Sequence, residues 1–127
     1  MKRRRDTALL ALPLLWLTGC ASEQPFKAPV PLITTSPFEY PVELWDQGIA
    51  GETVLLVRVT ADGSVDSAYV YKSSGHPQFD SAAVAGARKL RFAPAQRGDK
   101  RVESWARLPV RFSKEGAQPG EALQANP

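Results

Sequence analysis

The chain has few of the residue types that carry catalysis or bind metals. Its 127 residues include one cysteine, one histidine and one methionine. A single cysteine excludes an intramolecular disulfide, and a single histidine, His76, excludes metal sites that need two. His76 precedes Pro77 at a predicted helix start, which indicates a role in the turn. The acidic residues are scattered over turns and helix ends, and no two of them form a convergent pair. We therefore predict no enzymatic activity, no metal and no cofactor.

The chain also lacks an apolar run long enough to cross a bilayer. The run Ala8 to Leu17 covers 10 residues, whereas a transmembrane helix needs about 20. A basic cluster, residues 2–5, precedes this short run. That layout is typical of a secretory signal peptide, which we predict over residues 1–19.

The predicted signal ends in Leu17-Thr18-Gly19-Cys20, which resembles the lipobox of bacterial lipoproteins. The resemblance implies that Cys20 is lipidated and becomes the mature N-terminus, which also accounts for a lone cysteine in an exported chain. Ala21, rather than an aspartate, follows the cysteine. By the common sorting rule for lipoproteins this implies the periplasmic face of the outer membrane, with the inner membrane as the alternative.

The mature chain has no excess of either charge. The whole chain has 16 basic and 13 acidic residues, and the predicted signal holds four and one of them, so 12 of each remain. This balance argues against nucleic acid as a partner. The charges are nevertheless segregated, because residues 88–114 hold nine basic and two acidic residues. Such a segment favours an acidic peptide or anionic headgroups, or it is a solvated surface that complements a helix dipole.

The mature chain is long enough for one domain. Prolines interrupt residues 20–37, which we predict to be a linker after the lipidated cysteine. Residues 38–113 form the predicted folded domain, and residues 114–127 a disordered tail.

Local patterns within residues 38–113 predict an α+β domain. A helix is expected over Pro41–Gln47 and a second one from Pro77, with Phe79 on its buried stripe. Strands are expected over Thr53–Thr60 and Val65–Lys72, joined by a turn at Asp62-Gly63. The alternation in the second strand puts Val65, Tyr69 and Tyr71 on one face. A loop through Pro94 and Gly98 leads to a last strand, Val102–Phe112.

In order and spacing, several short segments together resemble the TonB C-terminal domain of Gram-negative energy transducers. They are Tyr40-Pro41 with Gly48-Ile49-Ala50-Gly51, Asp62-Gly63 with Val65, Ser73-Ser74-Gly75 with Asp80, Ala82 and Ala83, Arg91-Phe92 with Pro94-Ala95, and Leu108-Pro109-Val110-Arg111-Phe112. The resemblance implies a three-stranded antiparallel sheet packed by one main helix, with a short N-terminal helix.

The chain departs from the family at two places. Leu90 stands where the family often has tryptophan. More importantly, the family's transducers carry an uncleaved inner-membrane helix and a long Pro-rich linker, whereas this chain has a predicted lipid anchor and a short linker. A lipid anchor lies in one leaflet of one membrane, so it cannot contact a motor that lies among the transmembrane helices of the other membrane of the envelope. We therefore expect the fold to carry over and the force-transmitting role not to.

The last strand is the candidate partner-binding site. The resemblance implies that it is an exposed edge to which an outer-membrane receptor peptide adds as an extra strand, and Pro109 is compatible with an edge because it lacks an N–H donor. The alternative is that its proline and arginines only protect the edge from aggregation. The candidate residues are Trp105, Arg107, Leu108, Pro109, Val110 and Arg111.

Two functions follow from these expectations. The first is a periplasmic, lipid-anchored TonB-like module that binds a receptor peptide or another envelope protein and is accessory to TonB-dependent transport across the outer membrane. The second is a structural envelope lipoprotein that contacts cell wall or other envelope proteins without a role in energy transduction.

Overall fold

The computed structural model describes residues 24–124. The predicted signal peptide, residues 1–19, and the predicted lipidation site, Cys20, lie outside the described residues, as do residues 125–127 of the predicted tail. Neither helix within residues 24–124 is long and apolar enough to span a membrane.

The described residues form two helices and ten strands. Helix α1 spans Val42–Asp46 and α2 spans Pro77–Ala87. The strands are β1 (Phe26–Lys27), β2 (Val30–Leu32), β3 (Gly51–Val59), β4 (Val65–Lys72), β5 (Arg91–Ala93), β6 (Ala95–Arg97), β7 (Lys100–Val102), β8 (Ser104–Ser113), β9 (Gly116–Pro119) and β10 (Leu123–Gln124). The predicted α+β class is confirmed.

Strand β3 lies at the centre of the main sheet. It pairs antiparallel with β4 on one side and with β8 on the other, so the predicted three-stranded antiparallel sheet is present. The full order is β10-β8-β3-β4, and β9 also pairs with β8. One face of the sheet packs on the core, so alternate residues of the two long strands are buried. They are Thr53, Leu55, Val57, Val59, Ala106, Leu108, Val110 and Phe112.

Helix α2 covers this inner face through small residues and one large one. Phe79 is fully buried, as predicted, and its ring stacks on that of Phe112 with 4.4 Å between centroids. At Gly86 the ring of Phe38 takes the place of a side chain, since a Cβ there would lie 2.8 Å from Phe38 Cε1. Leu90, where the family often has tryptophan, is also buried.

The expectation that Val65, Tyr69 and Tyr71 share one face is wrong. A register shift opposite Arg58 and Val59 leaves Asp66 as an extra residue on β4. Val65 precedes this bulge and packs against the core. Because the bulge turns the side chains after it to the other face, Tyr69 is 58% exposed. A second register shift, opposite Val54 and Leu55, leaves Tyr71 as another extra residue, and Tyr71 is 55% exposed.

The predicted linker and the predicted tail both contain paired strands. Within residues 20–37, β1 pairs with β6 and β2 with β5. Within residues 114–127, β9 and β10 pair with β8. The Ser36 hydroxyl donates a 2.5 Å hydrogen bond to the carbonyl of Ala117, which joins the two segments. The predictions are wrong for these residues. Short segments without a hydrophobic period form strands only when a neighbouring strand offers them an edge, and the local sequence does not show where such an edge lies.

The expected loop through Pro94 and Gly98 is also wrong. Strands β6 and β7 form a hairpin around Gly98 and Asp99, and β1 adds to its outer side. Gly98 has φ +65°, a left-handed conformation that glycine adopts without strain. The result is a second small sheet, of order β1-β6-β7, outside the main one.

Candidate functional site

The predicted binding strand corresponds to β8, and its side chains alternate between the core and the outer face of the main sheet. Leu108 and Val110, two of the predicted partner-binding residues, are fully buried. Their side chains fill the core beside β3, so these two residues can meet a partner only through their backbone groups, which is the contact that strand addition uses. The other four predicted residues, Trp105, Arg107, Pro109 and Arg111, lie on the outer face.

The expectation of an exposed edge along β8 is also wrong for most of the strand. Strand β9 pairs with Val110–Ser113, and β10 pairs with Ala106 and Arg107. Between these stretches the carbonyl of Pro109 accepts a 2.8 Å hydrogen bond from the N–H of Gly120. The C-terminal segment therefore already supplies the extra strand that a partner peptide was expected to add.

A signal for this covered edge exists in the sequence. Lys114 and Glu115 connect β8 to β9, and the register closes at Ser113 and Gly116, with Gly116 at φ +109°. A glycine that directly follows a polar pair at the end of a strand is a turn signal. The residues after Gly116 are mostly small or polar, and this composition by itself favours a disordered tail.

The outer face of β8 pairs its exposed side chains with aromatic and acidic neighbours. Trp105 stacks on Tyr69 with 6.2 Å between ring centroids, and the guanidinium carbon of Arg107 lies 4.4 Å from the ring centroid of Tyr71. This second geometry is a cation–π contact. The sequence predicts no role for the two tyrosines, because the register shifts in β4 decide that they face this side.

Charged groups on the outer face are partly neutralised. Arg111 contacts Glu52 at 3.3 Å, and Arg58 contacts Asp66 at 2.6 Å. The hydrogen bond from Arg58 lowers the pKa of Asp66 and keeps that carboxylate ionised. Arg107 has no acidic partner within residues 24–124. It is therefore the arginine on β8 best placed to meet a partner carboxylate.

The described residues offer little to a reaction centre. Within residues 24–124 no three histidine, cysteine or acidic side chains lie close enough to hold a metal ion. His76 stands directly before α2 and packs edge-on against the ring of Phe79, with 5.6 Å between centroids. This position agrees with the predicted role in the turn.

Helix-on-sheet packing and an outer face of aromatic–arginine pairs define a small two-layer α+β domain. The family model for the C-terminal domain of the Gram-negative bacterial TonB protein matches residues 36–113. The chain belongs to this family.

Two relatives are each similar to a little over half of the chain. Protein tonB2 of Pseudomonas aeruginosa is 40% identical over 74 residues, which are 58% of this chain and 27% of that protein. Protein TonB of Xanthomonas campestris pv. campestris is 35% identical over 78 residues, which are 61% of this chain and 35% of that protein. The match thus spans about a third or less of the length of these relatives.

Proposed function

We propose that this protein is a lipid-anchored, TonB-like protein- and peptide-binding module on the periplasmic face of the outer membrane, accessory to TonB-dependent receptor-mediated transport. The observation that carries the proposal is the family match over residues 36–113, which includes the whole of β8. The role is binding rather than catalysis. It is accessory because a lipid at Cys20 has no means of contacting an inner-membrane motor.

Docking on β8 requires an exchange of strands. A receptor peptide that runs beside β8 from Trp105 to Ser113 has to take the place of both β9 and β10, because the backbone groups on that side already pair with them. Both strands are short, and the segment that contains them contributes two small buried side chains, Ala117 and Ala122, to the core. Displacement of this segment therefore costs little buried apolar area, while the peptide restores the hydrogen bonds.

Specificity in this arrangement comes from the outer face. Trp105 offers a flat apolar surface, and Arg107 and Arg111 offer positive charge on the same face of the strand. A peptide strand beside β8 would place every second side chain next to these residues. We therefore expect an acidic peptide with an aromatic or aliphatic residue opposite Trp105.

The test is capture by immobilised N-terminal peptides of outer-membrane receptors. We expect the mature chain to be captured, and a chain that ends at Lys114 to be captured more strongly, because β9 no longer occupies the edge and a larger fraction of molecules is competent to bind. A scrambled peptide is the control. Cell-wall material is the competing ligand, and capture by cell wall but by no receptor peptide would support the structural envelope role instead.

A further inference from the structure

The small sheet β1-β6-β7 is basic on both faces. Lys27 on β1 and Arg101 on β7 both pair with Gln96 on β6, so these three residues share one face of the sheet. Phe26 and Lys100 both pair with the next residue of β6, Arg97, and these three share the opposite face. All four cationic residues are exposed.

Within residues 24–124 these positive charges are only partly offset by acidic residues. Asp99, in the turn between β6 and β7, is the one acidic residue among residues 24–27 and 95–102, so this sheet has a net charge of +3. None of its four cationic side chains forms an ion pair with another residue in the range 24–124. The guanidinium of Arg97 lies over the ring of Phe26, 5.4 Å from its centroid. An aromatic residue beside unpaired cations suits the interface between lipid headgroups and acyl chains.

The chain enters the domain at the turn of this sheet. The N–H of Gly98 donates a 3.0 Å hydrogen bond to the carbonyl of Pro25, and the side chain of Gln24 lies against Gly98. Cys20 precedes Gln24 by four residues. Four residues reach at most about 14 Å even when fully extended. A lipid on Cys20 would therefore hold the turn of the basic sheet close to the membrane surface.

We propose that the end of the sheet β1-β6-β7 that carries the Gly98 turn faces the membrane, so that cationic side chains from both of its faces bind anionic phospholipid headgroups. This inference rests on the proposed lipid anchor. Attraction between basic side chains and an anionic leaflet falls off within about one Debye length, roughly 8–10 Å, and the short connection to Cys20 keeps these four side chains near that range. The sheet then supplies a second, electrostatic membrane signal beside the lipid and orients the domain on the leaflet.

Lysine acetylation of the lipidated protein in vesicles tests this proposal. The protein is reconstituted into phosphatidylcholine vesicles with and without about 30% phosphatidylglycerol, a fraction chosen to give a clearly negative surface. Mass spectrometry then measures the acetylation rate of each lysine. Lys27 and Lys100 report on the basic sheet, while Lys72, Lys89 and Lys114 are exposed controls elsewhere in the same molecule.

We expect phosphatidylglycerol to slow acetylation of Lys27 and Lys100 by about fivefold and to leave the three control lysines unchanged. Salt at 1 M should abolish the effect, because the Debye length falls to about 3 Å. The double variant Arg97→Glu/Arg101→Glu should lose the protection. The matched control, Arg88→Glu/Arg107→Glu, also reverses two exposed arginines, one of them over an aromatic ring, and should retain it.

Equal protection in both kinds of vesicle, or protection that survives Arg97→Glu/Arg101→Glu, would overturn the inference and leave the anchor intact. Protection that moves to Lys72 or Lys89 would show that another face meets the membrane and would also overturn it. The intact mass of the purified protein decides the anchor separately. A mass without lipid on Cys20 would overturn both the anchor and the inference.

Discussion

The hydroxyl of Thr53 in β3 donates a 2.8 Å hydrogen bond to the carboxylate of Asp80 in the first turn of α2. Thr53 is fully buried. The same carboxylate accepts hydrogen bonds from the backbone N–H and the hydroxyl of Ser74, each at 2.9 Å, and from the hydroxyl of Ser73. One carboxylate thus joins the central strand, the loop after β4 and the main helix. This network explains the role of the Ser73-Ser74-Gly75 segment with Asp80 in the family pattern.

Replacing this carboxylate should destabilise the domain. We expect Asp80→Asn to lower the free energy of unfolding by about 1–3 kcal/mol, because an amide cannot accept all of these hydrogen bonds and the buried Thr53 hydroxyl loses a charged acceptor. Urea unfolding followed by circular dichroism measures the change. Asp66→Asn is the matched control, since Asp66 is exposed and a solvent-screened ion pair such as the one with Arg58 contributes little to stability. Equal losses for the two variants would contradict the assigned role of Asp80.

The same residue should make stability depend on acid pH. Partial burial raises the pKa of Asp80, but hydrogen bonds from Ser73, Ser74 and Thr53 outweigh this effect, so the net pKa is lowered. A carboxyl whose pKa is lower in the folded state stabilises the fold above its unfolded pKa, and this contribution disappears as the pH falls through the folded pKa. We expect the free energy of unfolding to fall below about pH 4, and less steeply in Asp80→Asn. Parallel pH profiles for the two proteins would refute this assignment.

Phe79 is the main contact between α2 and the sheet. Phe79→Ala should cost about 3–5 kcal/mol, because it removes a fully buried ring stacked on Phe112 and leaves a cavity. A domain of this size has a total stability of about 5–15 kcal/mol, so the variant should be largely unfolded or melt far lower. Phe79→Leu keeps most of the apolar volume and should remain folded. A melting temperature of Phe79→Ala close to that of the wild type would show that the ring contributes little.

The proposed anchor predicts the behaviour of Cys20→Ala. Without the cysteine the protein should be released from membranes or remain unprocessed, because no other lipid attachment is predicted. Fractionation with immunodetection measures both outcomes. Density-gradient centrifugation of the wild type should place it with outer-membrane markers. A mature-sized Cys20→Ala protein that stays in the membrane fraction would exclude the lipid anchor, and co-migration with inner-membrane markers would refute the sorting prediction.

The arginines on β8 distinguish partner recognition from protection of a strand edge. Arg107→Glu/Arg111→Glu should weaken capture of an acidic receptor peptide by more than the roughly 0–1 kcal/mol of one exposed ion pair, because two charges are reversed. The fold should persist, since both side chains are exposed. Lys100→Glu/Arg101→Glu reverses two charges on the small sheet and is the control.

The protective alternative predicts a different pair of results. Capture would be unchanged in the charge-reversed protein, and the neutral variant Arg107→Ala/Arg111→Ala would self-associate once the charges no longer disfavour contact. Peptide capture and analytical ultracentrifugation of both variants separate the two roles. Unchanged capture rules out Arg107 and Arg111 as recognition residues.

The sequence alone determined the elements whose residues carry their own structural information. The short helix predicted over Pro41–Gln47 is present as Val42–Asp46, and it is followed by Gly48 at φ +66°. The turn at Asp62-Gly63 joins β3 to β4 as expected. The buried side of α2 followed from the spacing of Phe79 and the small residues after it. Turn chemistry and helical periodicity act over a few residues, so they can be read without knowledge of the partners.

Only the tertiary structure decided which strand edge and which side chains are open to a partner. Residues 116–124 carry no strand pattern, yet they cover β8 because its backbone groups offer hydrogen bonds to whatever segment can reach them. The extra residue Asp66 turned Tyr69 to the outer face, where it meets Trp105. A second register shift leaves Tyr71 without a partner on β3, beside Arg107. Local hydrophobic patterns encode neither the pairing of distant segments nor the position of a bulge. Both depend on neighbours that are far away along the chain.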